Sequence, residues 1–121
     1  MKRVLLVEDS LAQRKYLEAL LRQELHCEVI SASDGKEAIL LLKEISVDAV
    51  VCDIEMPQVD GRGVLEYLQR KSRKVPVIMV TAKSLSSKLK EDLIHLGATD
   101  AVSKERFEAD ITTLFTTHGG L

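Results

Sequence analysis

Ala49-Val50-Val51-Cys52-Asp53 is the stretch that decides the fold: four apolar residues in a row, closed by an acid. A strand with one wet face alternates apolar and polar residues, and this one does not. Continuous apolar runs of this length are the mark of strands buried on both faces, as in a parallel sheet covered by helices. The same kind of run stands earlier at Val4-Leu5-Leu6-Val7, closed by Glu8 and Asp9, and later at Val75-Pro76-Val77-Ile78-Met79-Val80, closed by Thr81. Glu28-Val29-Ile30-Ser31-Ala32 is a further run, and Ala101-Val102 a short, weak one ending at Ser103 and Lys104.

Helical patterns fill the gaps. Ser10 reads as an N-cap, with Gln13 at the capping-box position, and Leu17, Leu20, Leu21 and Leu25 stripe the helix behind it. Asp34 caps the next helix, with Glu37 three residues on and Ala38, Leu41, Leu42 and Ile45 on one face. Pro57 and Gly61 punctuate a loop before a short helix carrying Val64, Leu65 and Leu68. Leu85, Leu89, Leu93 and Leu96 stripe a fourth helix, with Gly97 as its C′ residue. Phe107, Ile111, Leu114 and Phe115 mark the fifth. Five strands alternating with five helices predict an α/β chain, an open doubly wound parallel sheet. Of the two common strand orders, the flavodoxin-like 2-1-3-4-5 is the expectation.

Composition agrees with one domain of 121 residues. The chain is 45% hydrophobic and 30% charged, and its net charge of -2 argues against nucleic-acid and membrane-surface binding. The basic cluster Arg70, Lys71, Arg73 and Lys74 reads as a solvated loop. No apolar run approaches the ~18 residues of a membrane span. Residues 1–9 have the charged-then-apolar order of a secretion signal, but the apolar run is too short and ends in two acids. Cys27 and Cys52 stand in apolar surroundings and read as buried thiols of a reducing, cytoplasmic compartment.

In open parallel sheets ligands bind at the carboxyl ends of the strands. Those ends carry Glu8 and Asp9, Asp53, Thr81 and Lys104. In the expected order, strands one and three are neighbours, so Glu8, Asp9 and Asp53 converge. Three crowded carboxylates repel unless a cation joins them, and a small set of hard oxygen ligands suits Mg²⁺. A carboxylate beside that ion can attack phosphorus and form an aspartyl phosphate. Lys104 would neutralise the phosphoryl charge from the other side, and the Thr81 hydroxyl would donate to a further oxygen. Each residue alone has a plainer reading: Asp9 as a helix or turn former, Thr81 and Lys104 as solvated loop residues. The set decides, because acid, acid, hydroxyl and amine each close a different strand.

These residues resemble the motifs of the response regulator receiver (CheY-like) family over essentially the whole chain. Val7-Glu8-Asp9-Ser10 is similar to the family's acidic pair. Val51-Cys52-Asp53-Ile54-Glu55-Met56-Pro57, followed by Asp60-Gly61, resembles its phosphorylation motif. Val80-Thr81-Ala82-Lys83, Gly97-Ala98-Thr99-Asp100 and Val102-Ser103-Lys104 resemble its later motifs. The resemblance implies a receiver domain over residues 1–121 that works in two-component signalling. Asp53 would accept phosphate from a sensor histidine kinase or phosphotransfer protein. Asp9 would bind Mg²⁺ directly and Glu8 through water, with Asp53 and the main-chain carbonyl of Glu55 completing the set. Thr81 and Lys104 would hold the phosphoryl oxygens, and a downstream protein or domain would read the result. Such a domain is not an enzyme beyond its own phosphorylation and dephosphorylation.

Two departures stand out. Ala101 occupies a position where many members carry an aromatic switch residue, and Glu105 follows Lys104 where Pro is usual. A non-proline cis bond costs about 3 kcal/mol, so a trans bond and a changed entry to helix five are expected. Lys104-Glu105-Arg106-Phe107 is similar to the end of receivers fused to chemotaxis-type kinases, and Asp53-Ile54-Glu55-Met56-Pro57 to chemotaxis methylesterase receivers. Glu55 and Lys83 carry opposite charges, which admits either a pair across the mouth of the site or two separately solvated side chains. Three other readings compete. A phosphatase with an Asp-x-acid motif would place it after the first strand, and a flavodoxin-like FMN binder would not put Glu8-Asp9 beside a phosphate. The third is a degenerate receiver acting only as a phosphorylation-independent interaction module.

Overall fold

The computed structural model describes residues 2–56, 60–71 and 74–117. The order of elements is β1 (Arg3–Val7), α1 (Leu11–Leu25), β2 (Glu28–Ala32), α2 (Gly35–Glu44), β3 (Ala49–Asp53), α3 (Gly61–Arg70), β4 (Val77–Thr81), α4 (Ser87–His95), β5 (Asp100–Ser103) and α5 (Lys104–Thr117). The strands form one sheet in the order β2-β1-β3-β4-β5, and every pairing is parallel. The expected flavodoxin-like 2-1-3-4-5 architecture is the observed one.

Strand side chains alternate between two cores. Val4 and Leu6, Ala49 and Val51, Ile78 and Val80, and Val102 pack with α1 and α5 through Leu17, Leu21, Phe107, Ile111, Leu114 and Phe115. Leu5 and Val7, Val50 and Cys52, Val77 and Met79, and Ala101 pack with α2, α3 and α4. The central strands β1, β3 and β4 are therefore buried on both faces, the physical reason their sequences show no alternation.

Caps fix where helices begin. The Ser10 hydroxyl accepts from the Gln13 N–H at 3.3 Å, and the Asp34 carboxylate from the Glu37 N–H at 2.8 Å. The return halves of both capping boxes are not made by the expected side chains. The Ser10 N–H donates to Glu8 Oε1 at 3.2 Å, and Glu37 instead accepts from the Ser33 hydroxyl at 3.0 Å. Leu85, expected in the α4 stripe, stands just ahead of the N-cap Ser86 and packs partly buried against the α3–α4 core. Gly97 follows α4 at φ 113°, a left-handed conformation that glycine adopts without strain. Entry to α5 is by the Ser103 hydroxyl, which accepts from the Arg106 N–H at 3.1 Å, and no described peptide bond is cis. Pro57 and Arg73 of the sequence reading lie outside the described residues.

Candidate functional site at the carboxyl edge of the sheet

β1 and β3 are hydrogen-bonded neighbours in the register Val7 to Cys52, so the residues that follow them leave the sheet side by side. Glu8, Asp9 and Asp53 each bring a carboxylate oxygen to within 4.8 Å of the others. Glu8 and Asp53 are buried and Asp9 is exposed. Lys104, the first residue of α5, reaches in from just beyond the end of β5. Its Nζ lies 2.9 Å from Glu8 Oε2 and 3.8 Å from Asp53 Oδ2. The structure thus joins four of the sequence-predicted residues into one cluster of three acids and one amine.

That cluster explains its own electrostatics. Burial, reinforced by the Glu8 carboxylate, pushes the Asp53 carboxyl up to about 7, while Lys104 pulls the other way. Burial alone would lower the Lys104 ammonium. The 2.9 Å contact with Glu8 and the charges of Asp53, Glu8 and Asp9 outweigh it and raise Lys104 instead. Carboxylates packed tightly enough to hold a proton near neutrality are a site short of positive charge. Their hard oxygens, from two buried acids and one exposed one, form a group that could hold a metal ion.

Thr81 ends β4 and is 1% exposed. Its hydroxyl donates to the Glu55 carboxylate, 3.0 Å from Oε1 and 3.2 Å from Oε2. It accepts from the Lys83 N–H at 3.0 Å. Glu55 is therefore engaged by Thr81, and no ion pair joins it to Lys83. An open cleft of about 470 Å³ lies beside Thr81 and Lys104, walled by Lys83, Glu105 and Glu108.

One supporting residue is absent from the sequence analysis, and the steric role of a second is not visible in sequence. The Arg14 guanidinium donates to the Glu8 carbonyl at 2.9 Å, tying α1 to the acidic loop. Its signal, an arginine one turn into a helix behind an acidic pair, is too common to single out. Gly61 was seen as loop punctuation, yet its role is steric. A Cβ there would lie 2.7 Å from the Asp53 carbonyl oxygen and 2.5 Å from Met79 Cε, so only glycine lets α3 start against the end of β3.

Residues 4–116 match the family profile of the response regulator receiver domain. The chain belongs to that family. This receiver domain is 38% identical over 104 residues to protein-glutamate methylesterase/protein-glutamine glutaminase 2 of Carboxydothermus hydrogenoformans, a match over 84% of the chain and 29% of that protein. The chain spans under half the length of the curated relatives it matches first. Among solved structures, response regulator TrrA of Thermotoga maritima in complex with Mg²⁺ and beryllofluoride is 30% identical, with a TM-score of 0.84 over 98% of this chain and 99% of that one. CheY of Borrelia burgdorferi, in a complex with CheX, beryllofluoride and Mg²⁺, is 28% identical, with a TM-score of 0.86 over 96% of this chain and 88% of that one. The receiver domain has no described helix long and apolar enough to cross a membrane.

Proposed function

We propose that this receiver domain, over the whole of residues 1–121, takes a phosphoryl group onto Asp53 from a phosphohistidine of a sensor kinase or phosphotransfer protein. Glu8, Asp9, Asp53 and the main-chain carbonyl of Glu55 would hold Mg²⁺. The observation that carries this reading is the convergence of Glu8, Asp9 and Asp53 within 4.8 Å beside the Lys104 ammonium. The relatives crystallised with Mg²⁺ and beryllofluoride support it.

An Asp53 carboxylate oxygen forms the new bond to phosphorus as the phosphorus–nitrogen bond breaks, and the electron pair leaves with the donor imidazole. The ion, when bound, neutralises charge on the carboxylates and on the incoming phosphoryl oxygens. Lys104 sits between Glu8 and Asp53 and can turn its ammonium toward a phosphoryl oxygen. The Thr81 hydroxyl donates to another. The cleft beside Thr81 and Lys104 gives the donor room to approach. Water attacking the same phosphorus breaks its bond to the Asp53 oxygen, releases inorganic phosphate and returns Asp53 to its carboxylate, so the chemistry begins and ends on this chain and no other substrate is turned over.

The output would be read at the loop after β4, at α4 and β5, or at the entry to α5, by a protein or domain beyond this chain. The methylesterase relative and the Lys104-to-Phe107 entry favour a chemotaxis-type pathway. Two free buried thiols, Cys27 and Cys52, suit a reducing cytoplasm. Amide NMR during a beryllofluoride titration, with and without Mg²⁺, tests the proposal on wild type and Asp53→Asn. Mg²⁺-dependent shifts at Asp53, Thr81 and Lys104 are expected, and they vanish in the variant. Folded wild type without such shifts would instead be a phosphorylation-independent binding module.

A further inference from the structure

The Thr81 hydroxyl has one proton to give, and in this structure Glu55 holds it. A phosphoryl oxygen on Asp53 would need the same proton. The two contacts are therefore mutually exclusive, and the Glu55 carboxylate competes with the phosphoryl group for Thr81. From this geometry we infer that Glu55 is a positioning residue that latches the resting state: it holds the Thr81 hydroxyl off the phosphoryl site until a phosphoryl group displaces it. The inference rests on the proposed phosphorylation of Asp53 and adds to it a specific barrier to activation.

Three features make the latch more than a chance contact. Thr81 is 1% exposed, so water cannot freely take over from either partner. The acceptor is a carboxylate, and hydrogen bonds to charged acceptors are the stronger kind. The third is the Lys83 N–H, which donates to the same hydroxyl oxygen. The rotation that frees Thr81 from Glu55 thus disturbs a main-chain hydrogen bond of the segment leading from β4 to α4. Leu85, two residues beyond Lys83, is packed partly buried against the core that contains Ala101. The structure thus has a route from the hydroxyl to α4 that needs no large side chain at position 101.

The experiment measures beryllofluoride affinity with Mg²⁺ for wild type, Glu55→Ala, Glu55→Gln, and each combined with Thr81→Val. Val keeps the volume of Thr and removes its hydroxyl. Loss of the latch should tighten binding about fivefold in Glu55→Ala, the scale of one net hydrogen bond. Glu55→Gln, which keeps an acceptor, should tighten it less. Each change should tighten binding clearly less in the Thr81→Val background, where only the loss of the Glu55 charge beside Asp53 remains. Equal tightening with and without the hydroxyl would mean a plain charge effect and would overturn the inference, as would no tightening in Glu55→Ala.

A second readout needs no ligand. The Lys83 amide resonance of the free protein should move in Glu55→Ala, and Glu55→Ala should leave it in place when Val already stands at 81. An unmoved Lys83 amide in Glu55→Ala also overturns the latch. Wild type that binds no beryllofluoride would instead remove the phosphoacceptor reading, a separate outcome.

Discussion

Replacing Asp53 by Asn should stabilise the metal-free protein at neutral and alkaline pH, and the gain should depend on pH in one direction. The Asp53 carboxyl moves from its ordinary 3.8 to about 7 on folding, because it is buried beside Glu8. Between those two values the folded chain holds a proton that the unfolded chain has released. Folding stability therefore falls as pH rises through that window, and above about 7 the full cost of an ionised, crowded Asp53 is present. At ~1.36 kcal/mol per pH unit the shift sets a ceiling of about 4 kcal/mol, and relaxation of the site brings the expected figure to ~2–4 kcal/mol. Asn is close to isosteric and cannot ionise. Urea unfolding in EDTA from pH 4.5 to 8.5 should show wild type losing stability relative to Asp53→Asn, with the gap fully open by pH 8. Saturating Mg²⁺ at pH 8 should close most of the gap by binding folded wild type more strongly than the variant. A difference that stays flat with pH, or an Asn variant less stable than wild type at pH 8, would refute the electrostatic account.

Two other substitutions probe the same edge of the sheet. Lys104→Met leaves Glu8, 1% exposed, without its cation at 2.9 Å. It should cost about 3 kcal/mol in urea unfolding without metal, with part of the loss recovered by Mg²⁺. Gly61→Ala drives a Cβ to 2.7 Å from the Asp53 carbonyl oxygen and 3.1 Å from Ile54 Cα, both main-chain atoms. It should cost ~1–3 kcal/mol of stability and weaken beryllofluoride binding by displacing the acceptor strand end, as calorimetry would detect.

The architecture was legible because burial on both faces leaves a trace that local turns do not blur. Val50 and Val51 face opposite cores, as do Leu5 and Leu6, and each core demands an apolar residue. The strand order was not readable in the same way. It came from topological preference and from the resemblance, since nothing in an apolar run names its neighbour. Element starts were legible where a cap fixed them, at Ser10 and Asp34. Leu85 keeps the helical period of α4, but Ser86 supplies the cap hydroxyl and starts the helix after it. A periodic apolar residue just before a cap packs on the same core as the helix, so spacing alone does not separate the two.

Convergence of the site followed from strand ends, but its pairings did not. Sequence placed one lysine among three acids without saying which acid it meets, and the structure sets Lys104 closer to Glu8 than to Asp53. The reason is how the Glu8 side chain is held. Glu8 has one carboxylate oxygen occupied by the Ser10 N–H and its carbonyl held by Arg14, so its second oxygen is fixed in front of the incoming lysine. Glu55 shows the same limit. Opposite charge allowed a pair with Lys83 or two separately solvated side chains; the Lys83 side chain is exposed, where an ion pair is worth less than about 1 kcal/mol. The Thr81 hydroxyl is buried and would lose more by going without an acceptor, so it claims the carboxylate. Burial rather than formal charge chooses between competing partners. A pairing read from charge alone is therefore least secure where one candidate is a buried hydroxyl.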